Sequence, residues 1–194
     1  MQAHLAARNI ACRRGDRLLF RGFAADLQAG DALHVIGPNG CGKSSLLRIM
    51  AGLLRAEGGV VERTGSLGLI DERAALAENR TLDQALNFWK RLDGVSGGPT
   101  PALARLHLEH LRHIPVRYLS TGQRKRAALA RLLSQNAAIW LLDEPLNGLD
   151  DAGIGVVAEL VTAHRAAGGV CVITSHRPFD LPGVQRCDLT RFAT

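Results

Sequence analysis

No apolar run in this 194-residue sequence is long enough to cross a bilayer, and no basic-then-apolar leader opens it. Neither a membrane span nor a secretory signal is therefore expected. The four cysteines, Cys12, Cys41, Cys171 and Cys187, lack any C-x-x-C spacing, which argues against a zinc or disulfide framework and fits reduced thiols. Lysine is scarce: of 24 basic side chains only Lys43, Lys90 and Lys125 are lysines. The arginines are spread along the chain without a block of about five or six, so the net charge of +6 does not gather into a nucleic-acid-binding arm. Internal repeats are missing too. What these absences leave is an ordinary soluble composition, 46% apolar and 22% charged, with length for one domain and a real core. Such a chain is expected in the cytoplasm, or at a membrane through a partner.

What is present centres on Gly37-Pro38-Asn39-Gly40-Cys41-Gly42-Lys43-Ser44. The apolar run Ala32–Ile36 precedes it and the amphipathic stretch Ser45–Met50 follows it. Strand, glycine-rich loop and helix form the context in which G-x-x-x-x-G-K-[ST] is a phosphate cradle rather than a chance glycine-rich turn. Gly37, Gly40 and Gly42 allow the backbone N–H groups to turn inward on anionic oxygens. The following helix adds the positive end of its dipole. Lys43 can reach the β- and γ-phosphates, and Ser44 can offer its hydroxyl to Mg²⁺. Cys41 lies inside the loop, so thiol reagents are expected to inhibit and nucleotide to protect.

Residues 2–10 and 17–28 read as strands around a turn at Gly15-Asp16, and Val60-Val61 and Leu67–Ile70 as two more. From about Ala74 to Gln135 the pattern predicts helices, broken by the loop at Asp93–Pro99. Ala137–Leu142 and Val170–Thr174 read as buried parallel strands, with a helix near Ala152–Ala167 between them. Alternating strands and helices predict an α/β fold with a parallel core sheet, from which a helical insertion projects.

The strand at 138–142 runs into Asp143-Glu144-Pro145. A carboxylate at the end of a buried strand beside a phosphate loop can hold Mg²⁺, which suits Asp143. Glu144, one residue on, is placed to orient or deprotonate water, the bland alternative being a helix cap. Leu119-Ser120-Thr121-Gly122-Gln123 opens a helix whose first turn is basic, Arg124-Lys125-Arg126. Cations are disfavoured there, and an anion held by Ser120 and the N–H of Gly122 would remove the conflict.

The phosphate loop, LSTGQ, the LLDEP strand end, Leu149-Asp150 and Thr174-Ser175-His176 occur in the order seen in ATP-binding cassette ATPases, and the chain resembles that family over nearly its whole length. The resemblance implies a P-loop NTPase fold: one domain over 1–194, with a small antiparallel β subdomain and a helical subdomain at roughly 74–136. It implies that ATP and Mg²⁺ bind, the phosphates at Gly37–Ser45 and the metal at Ser44 and Asp143. Glu144 and His176 would be catalytic, His176 as the switch histidine; alone it reads equally as a polar strand end. LSTGQ (Leu119–Gln123) would act in trans within a homodimer, and Asp150 would belong to the subunit contact. Membrane subunits would be the partners, at the cytoplasmic face of a bacterial inner membrane.

Within the family the chain is most similar to the ATP-binding subunit of the haem exporter of cytochrome c maturation, through its short cassette, Cys12–Phe20, and Leu119–Leu133. Two other readings stand beside it: an ATPase subunit of another small-molecule exporter, and a soluble cassette protein acting on ribosomes or nucleic acid. The sequence departs from the family in three places. Arg13 and Arg14 stand where an aromatic residue usually stacks on adenine. Ile70-Asp71-Glu72-Arg73 replaces the stretch with a metal-contacting Gln, so Asp71 or Glu72 would substitute for it. Gly148 sits in the Asp150 loop. His107, His110 and His113 are expected on a solvated helical face rather than at a haem or metal. Ala74, Ala75, Leu76, Leu82, Leu86, Phe88 and Trp89 form an apolar cluster read as core with an interface at its edge.

Overall fold

A computed structural model describes residues 2–71, 74–95, 98–176, 179 and 181–193. The chain opens with two antiparallel strands of 11 residues, β1 (His4–Arg14) and β2 (Arg17–Leu27), joined at Gly15-Asp16. The first is longer than its pattern predicts, because Arg8 and Asn9 interrupt the apolar alternation at an irregularity where Asn9 takes a positive φ of 53°. There follow β3 (Ala32–Ile36), α1 (Lys43–Met50), β4 (Gly58–Thr64) and β5 (Leu67–Ile70). Then come α2 (Leu82–Leu92), α3 (Thr100–Arg105) and α4 (Thr121–Gln135). The chain continues through β6 (Ile139–Asp143), α5 (Asp151–Ala166), β7 (Val170–Ser175) and β8 (Gln185–Asp188). The last strand was not expected, since its polar sequence Gln-Arg-Cys-Asp carries no apolar signal and it lies at a sheet edge.

The described strands form two sheets, β2-β1-β4 and β5-β6-β7-β3-β8. The pairs of the first are antiparallel and those of the second parallel. Both belong to a unit made of Met1–Asp71, Ala138–Pro145 and Ala158–Thr194. Leu33 and Val35, Ile139 and Leu141, Val170 and Val172 share one face of the parallel sheet. They form a core with Leu46, Leu47, Ile49 and Met50 of α1 and with Leu5, Ile10, Phe20, Phe23 and Leu27 of the antiparallel sheet. Side chains alternate along a strand, so His34 leaves β3 on the opposite face, where its ring meets Phe179 edge-on at 6.5 Å. The parallel register brings the carboxyl ends of the central strands level: Asp143 pairs with Thr174, and Ile36 with Ser175.

The second unit comprises Glu72–Ala137 and Leu146–Val157. Thr81 opens α2 with a capping box closed by Gln84, and Leu82, Ala85 and Leu86 are its buried stripe. In this unit Arg131 of α4 lays its guanidinium 3.5 Å over the Trp89 ring, and burial lowers its pKa. The helical pattern expected from about Ala74 to Gln135 is not continuous. Residues 74–80 form no helix, and between α3 and α4 only short 3₁₀ turns occur, at Glu109–Leu111 and Val116–Tyr118. His107 has a left-handed φ of 54°, and Pro115 lies between the two turns. His107, His110 and His113 are exposed, as expected, but not on one α-helix: His110 is in the first 3₁₀ turn and the other two lie outside it. Of the expected apolar cluster, Leu76, Leu82 and Leu86 are buried, whereas Phe88 stands 42% exposed. Among the described residues no helix is long and apolar enough to cross a membrane.

Candidate active site

The glycine-rich loop joins β3 to α1. Gly42 caps the helix in a left-handed conformation, φ 109°, and no side chain caps that end. The first turn also carries no acidic residue. An α-helix leaves its first N–H groups without intrahelical partners, and here they are left for an outside anion. The loop can turn so tightly because of what lies beneath it. A Cβ on Gly42 would stand 2.8 Å from Cε1 of the buried Phe20, and one on Gly37 2.7 Å from Sγ of Cys41. Lys43 is nearly buried, and its Nζ donates to the carbonyls of Gly37 at 2.8 Å and Pro38 at 3.2 Å. Pro38, Asn39 and Gly40 are exposed and Ser44 is half-buried. Ser45 hydrogen-bonds the thiol of Cys12, which burial nevertheless pushes above its ordinary pKa.

Asp143 ends β6 at 3% exposure. Its Oδ1 accepts the hydroxyl of Thr174 at 2.6 Å, a contact the register of β6 and β7 produces directly. Thr174 had no expected role; the signal was its place as a hydroxyl inside an otherwise apolar strand. Glu144 follows with a left-handed φ of 45° that turns its side chain back over the sheet end, and its N–H donates to the Thr174 carbonyl at 3.0 Å. It is not a helix cap. Its Oε1 lies 3.3 Å from Nζ of Lys43, and its Oε2 accepts the His176 N–H at 3.3 Å and contacts His176 Nδ1 at 3.0 Å. Thus the structure brings Lys43, Asp143, Glu144 and His176 together. His34, on the opposite face of β3, is fully buried with neither ring nitrogen hydrogen-bonded among the described residues. Burial, and then Arg186, push its pKa down, partly offset by Glu144.

A buried carboxylate held by one neutral hydroxyl is a hard oxygen ligand with coordination to spare, which fits Mg²⁺. Asp71 does not join it, contrary to expectation: its carboxylate is taken by Arg48 in a two-pronged pair. Glu72 lies outside the described residues. Arg13 contacts Glu57 at 3.2 Å and the Asp16 carbonyl at 3.3 Å.

In the second unit, Ser120 begins α4. Its Oγ accepts the N–H of Gln123 at 3.2 Å, and Gln123 Oε1 accepts the Ser120 N–H at 2.8 Å. This capping box is the local reason the helix starts here. Leu119 is buried and Ser120 and Thr121 are exposed. Gly122 faces Gly148 so closely that a Cβ on Gly122 would stand 2.7 Å from the Gly148 carbonyl oxygen. Asp150 accepts the N–H of Gly153 at 2.9 Å, an N-terminal cap for α5.

A profile of the ABC transporter family matches residues 20–147. The cytochrome c biogenesis ATP-binding export protein CcmA of Novosphingobium aromaticivorans is 52% identical over 188 residues, covering 97% of this chain and 96% of that protein. The CcmA protein of Zymomonas mobilis is 46% identical, covering 98% and 86%. Among solved structures, a metal-chelate type ABC transporter in an inward-facing conformation matches with a TM-score of 0.80 at 27% identity, over 95% of this chain and 77% of that one. An ABC transporter ATP-binding protein from Pyrococcus furiosus, at 22% identity, shares the fold with a TM-score of 0.87 over 98% of this chain and all of that one.

Proposed function

The chain belongs to the ABC transporter family of ATP-binding, ATP-hydrolysing subunits, and from that premise we propose that it drives the export step of cytochrome c biogenesis, with haem or a haem-loaded carrier as the cargo of its membrane partners. The full-length likeness to CcmA proteins supports this assignment. In this reading the chain is one ATPase domain with its helical subdomain at 74–136. Two copies close head to tail on two ATP molecules at the cytoplasmic face of the inner membrane. ATP favours the closed pair because it binds that state better than the open one.

The observation that carries the catalytic reading is the Glu144 carboxylate, held at one oxygen by His176 and facing Lys43 with the other. The loop amides and Lys43 bind the phosphates. Lys43 exchanges its contacts with Gly37, Pro38 and Glu144 for phosphate oxygens, which frees Oε1 of Glu144 to take a proton from the attacking water. His176 keeps Oε2 in place, so the carboxylate cannot rotate away. Ser44 and Asp143 hold Mg²⁺, which when bound offsets phosphate charge. Thr174 fixes the Asp143 carboxylate. Ser120 and the N–H of Gly122, from the second copy, close the site over the γ-phosphate.

Phosphate release measured with membranes containing the cytochrome c assembly subunits tests the assignment. Stimulation of turnover by those subunits supports it. Equal turnover with and without them, together with salt-sensitive binding to nucleic acid, would favour a soluble cassette protein instead.

A further inference from the structure

β5 and β6 are parallel neighbours, with Ile70 opposite Leu142. Leu67 and Leu69 of the first, and Ile139 and Leu141 of the second, all point into the core beneath α1. Asp143 ends β6 on that face, and Asp71 follows β5 directly, where the same alternation carried one residue past Ile70 puts it on that face too. Two acids follow this end of the sheet, and the structure treats them differently. Asp143 is buried with one hydroxyl donor. Asp71 is gripped by the guanidinium of Arg48: Nε to Oδ2 at 3.2 Å, Nη2 to Oδ1 at 3.0 Å and Nη2 to Oδ2 at 2.8 Å.

Arg48 comes from the last turn of α1, where a cation is favoured by the helix dipole. The same eight-residue helix therefore carries Lys43 and Ser44 at one end and this arginine at the other. The pair is partly solvent-exposed, 40% and 31%, so its contribution to stability is small. What a two-pronged guanidinium–carboxylate contact does supply is direction: it fixes where the carboxylate points.

We propose that Arg48 is a positioning residue for the nucleotide site: it draws the Asp71 carboxylate onto α1 and cancels its charge, so that the polyphosphate meets the carboxylate of Asp143 and not two acids side by side. The inference rests on the nucleotide site proposed above. Without Arg48, the Asp71 carboxylate would lose this counter-charge and repel the triphosphate, most strongly when no metal screens it.

The test is titration of the purified full chain with a fluorescent ATP analogue, in EDTA and in Mg²⁺. Binding by the wild type is the control, and its failure would count against the nucleotide reading itself. Arg48→Met is expected to weaken metal-free binding about three- to tenfold, with a smaller loss in Mg²⁺. Arg48→Met/Asp71→Asn is expected to return to within about twofold of the wild type, since the repelling charge is gone. Asp71→Asn alone, which removes the negative charge facing Arg48, is expected to bind metal-free nucleotide at least as well as the wild type. A role in packing alone predicts instead that the double variant is as weak as Arg48→Met, and that outcome overturns the proposal. Wild-type affinity in Arg48→Met overturns it as well. Should Arg48→Met not fold, Asp71→Asn decides: weaker metal-free binding than the wild type refutes it.

Discussion

Gly122 and Gly148 approach each other at a distance that only hydrogen at the first Cα permits. A methyl on Gly122 would press within 2.7 Å of the Gly148 carbonyl oxygen, while Gly148 itself holds a φ of 77° with Thr121 against it. The contact locks the start of α4 to the loop that carries Asp150, inside one unit. Alanine at 122 gains helix propensity but must displace backbone, a cost of about 1–3 kcal/mol. Gly122→Ala is therefore expected to lower both Tm and ATP turnover, and Gly148→Ala to lower them through its left-handed backbone. Thermal unfolding and phosphate release on the two variants check this.

Glu144→Gln keeps the shape of the side chain and removes its basicity. Turnover is expected to fall by about 10²–10⁴ while ATP binding persists. Single-turnover hydrolysis in the variant at the wild-type rate would show that another group takes the proton.

One buried histidine and one half-buried histidine set an acid limit on stability. His34 has no hydrogen-bond partner among the described residues, and His164 stacks on Trp140 at 3.9 Å with Nε2 on the Val170 carbonyl. Burial lowers both pKa values below the ordinary 6.5. The unfolded chain therefore binds more protons than the folded one as pH drops below 6.5, so stability is complete above that value and is lost toward the lowered folded pKa values. The expected result is a Tm that falls between pH 7 and pH 5, by less in His34→Leu than in the wild type. Differential scanning calorimetry across that range measures it.

The elements of the candidate site were readable because chemistry constrains their sequence. A glycine loop ending in Lys-Ser and an apolar strand ending in Asp-Glu leave few alternatives, and the structure places Lys43, Asp143, Glu144 and His176 together. The pairing of Asp71 was not legible because its neighbour in space, Arg48, lies 23 residues away in sequence, and a free and a paired carboxylate look the same in one dimension. The helical pattern before α4 failed for a different reason. Leu106 and Leu108 are buried from irregular backbone beyond α3, so apolar spacing alone suggested a longer helix than the left-handed His107 allows. The polar edge strand β8 gains its structure from pairing with β3 and shows nothing locally.

Cys41 is part-buried against Gly37, whereas Cys12 and Cys171 are fully buried. A maleimide on Cys41 has no room beside the phosphates. Modification is expected to abolish ATP binding, ATP to protect against it, and Cys41→Ser to be insensitive. Equal inhibition of Cys41→Ser would place the sensitive thiol elsewhere.

The central claim is that one molecule grips the triphosphate with Lys43 and a second closes on it with Ser120. Sedimentation of Glu144→Gln with and without Mg·ATP tests it most directly. The account predicts a dimer that forms on Mg·ATP and is lost when Lys43→Ala is added. A chain that stays monomeric with Mg·ATP, or one that pairs equally well without Lys43, would contradict it.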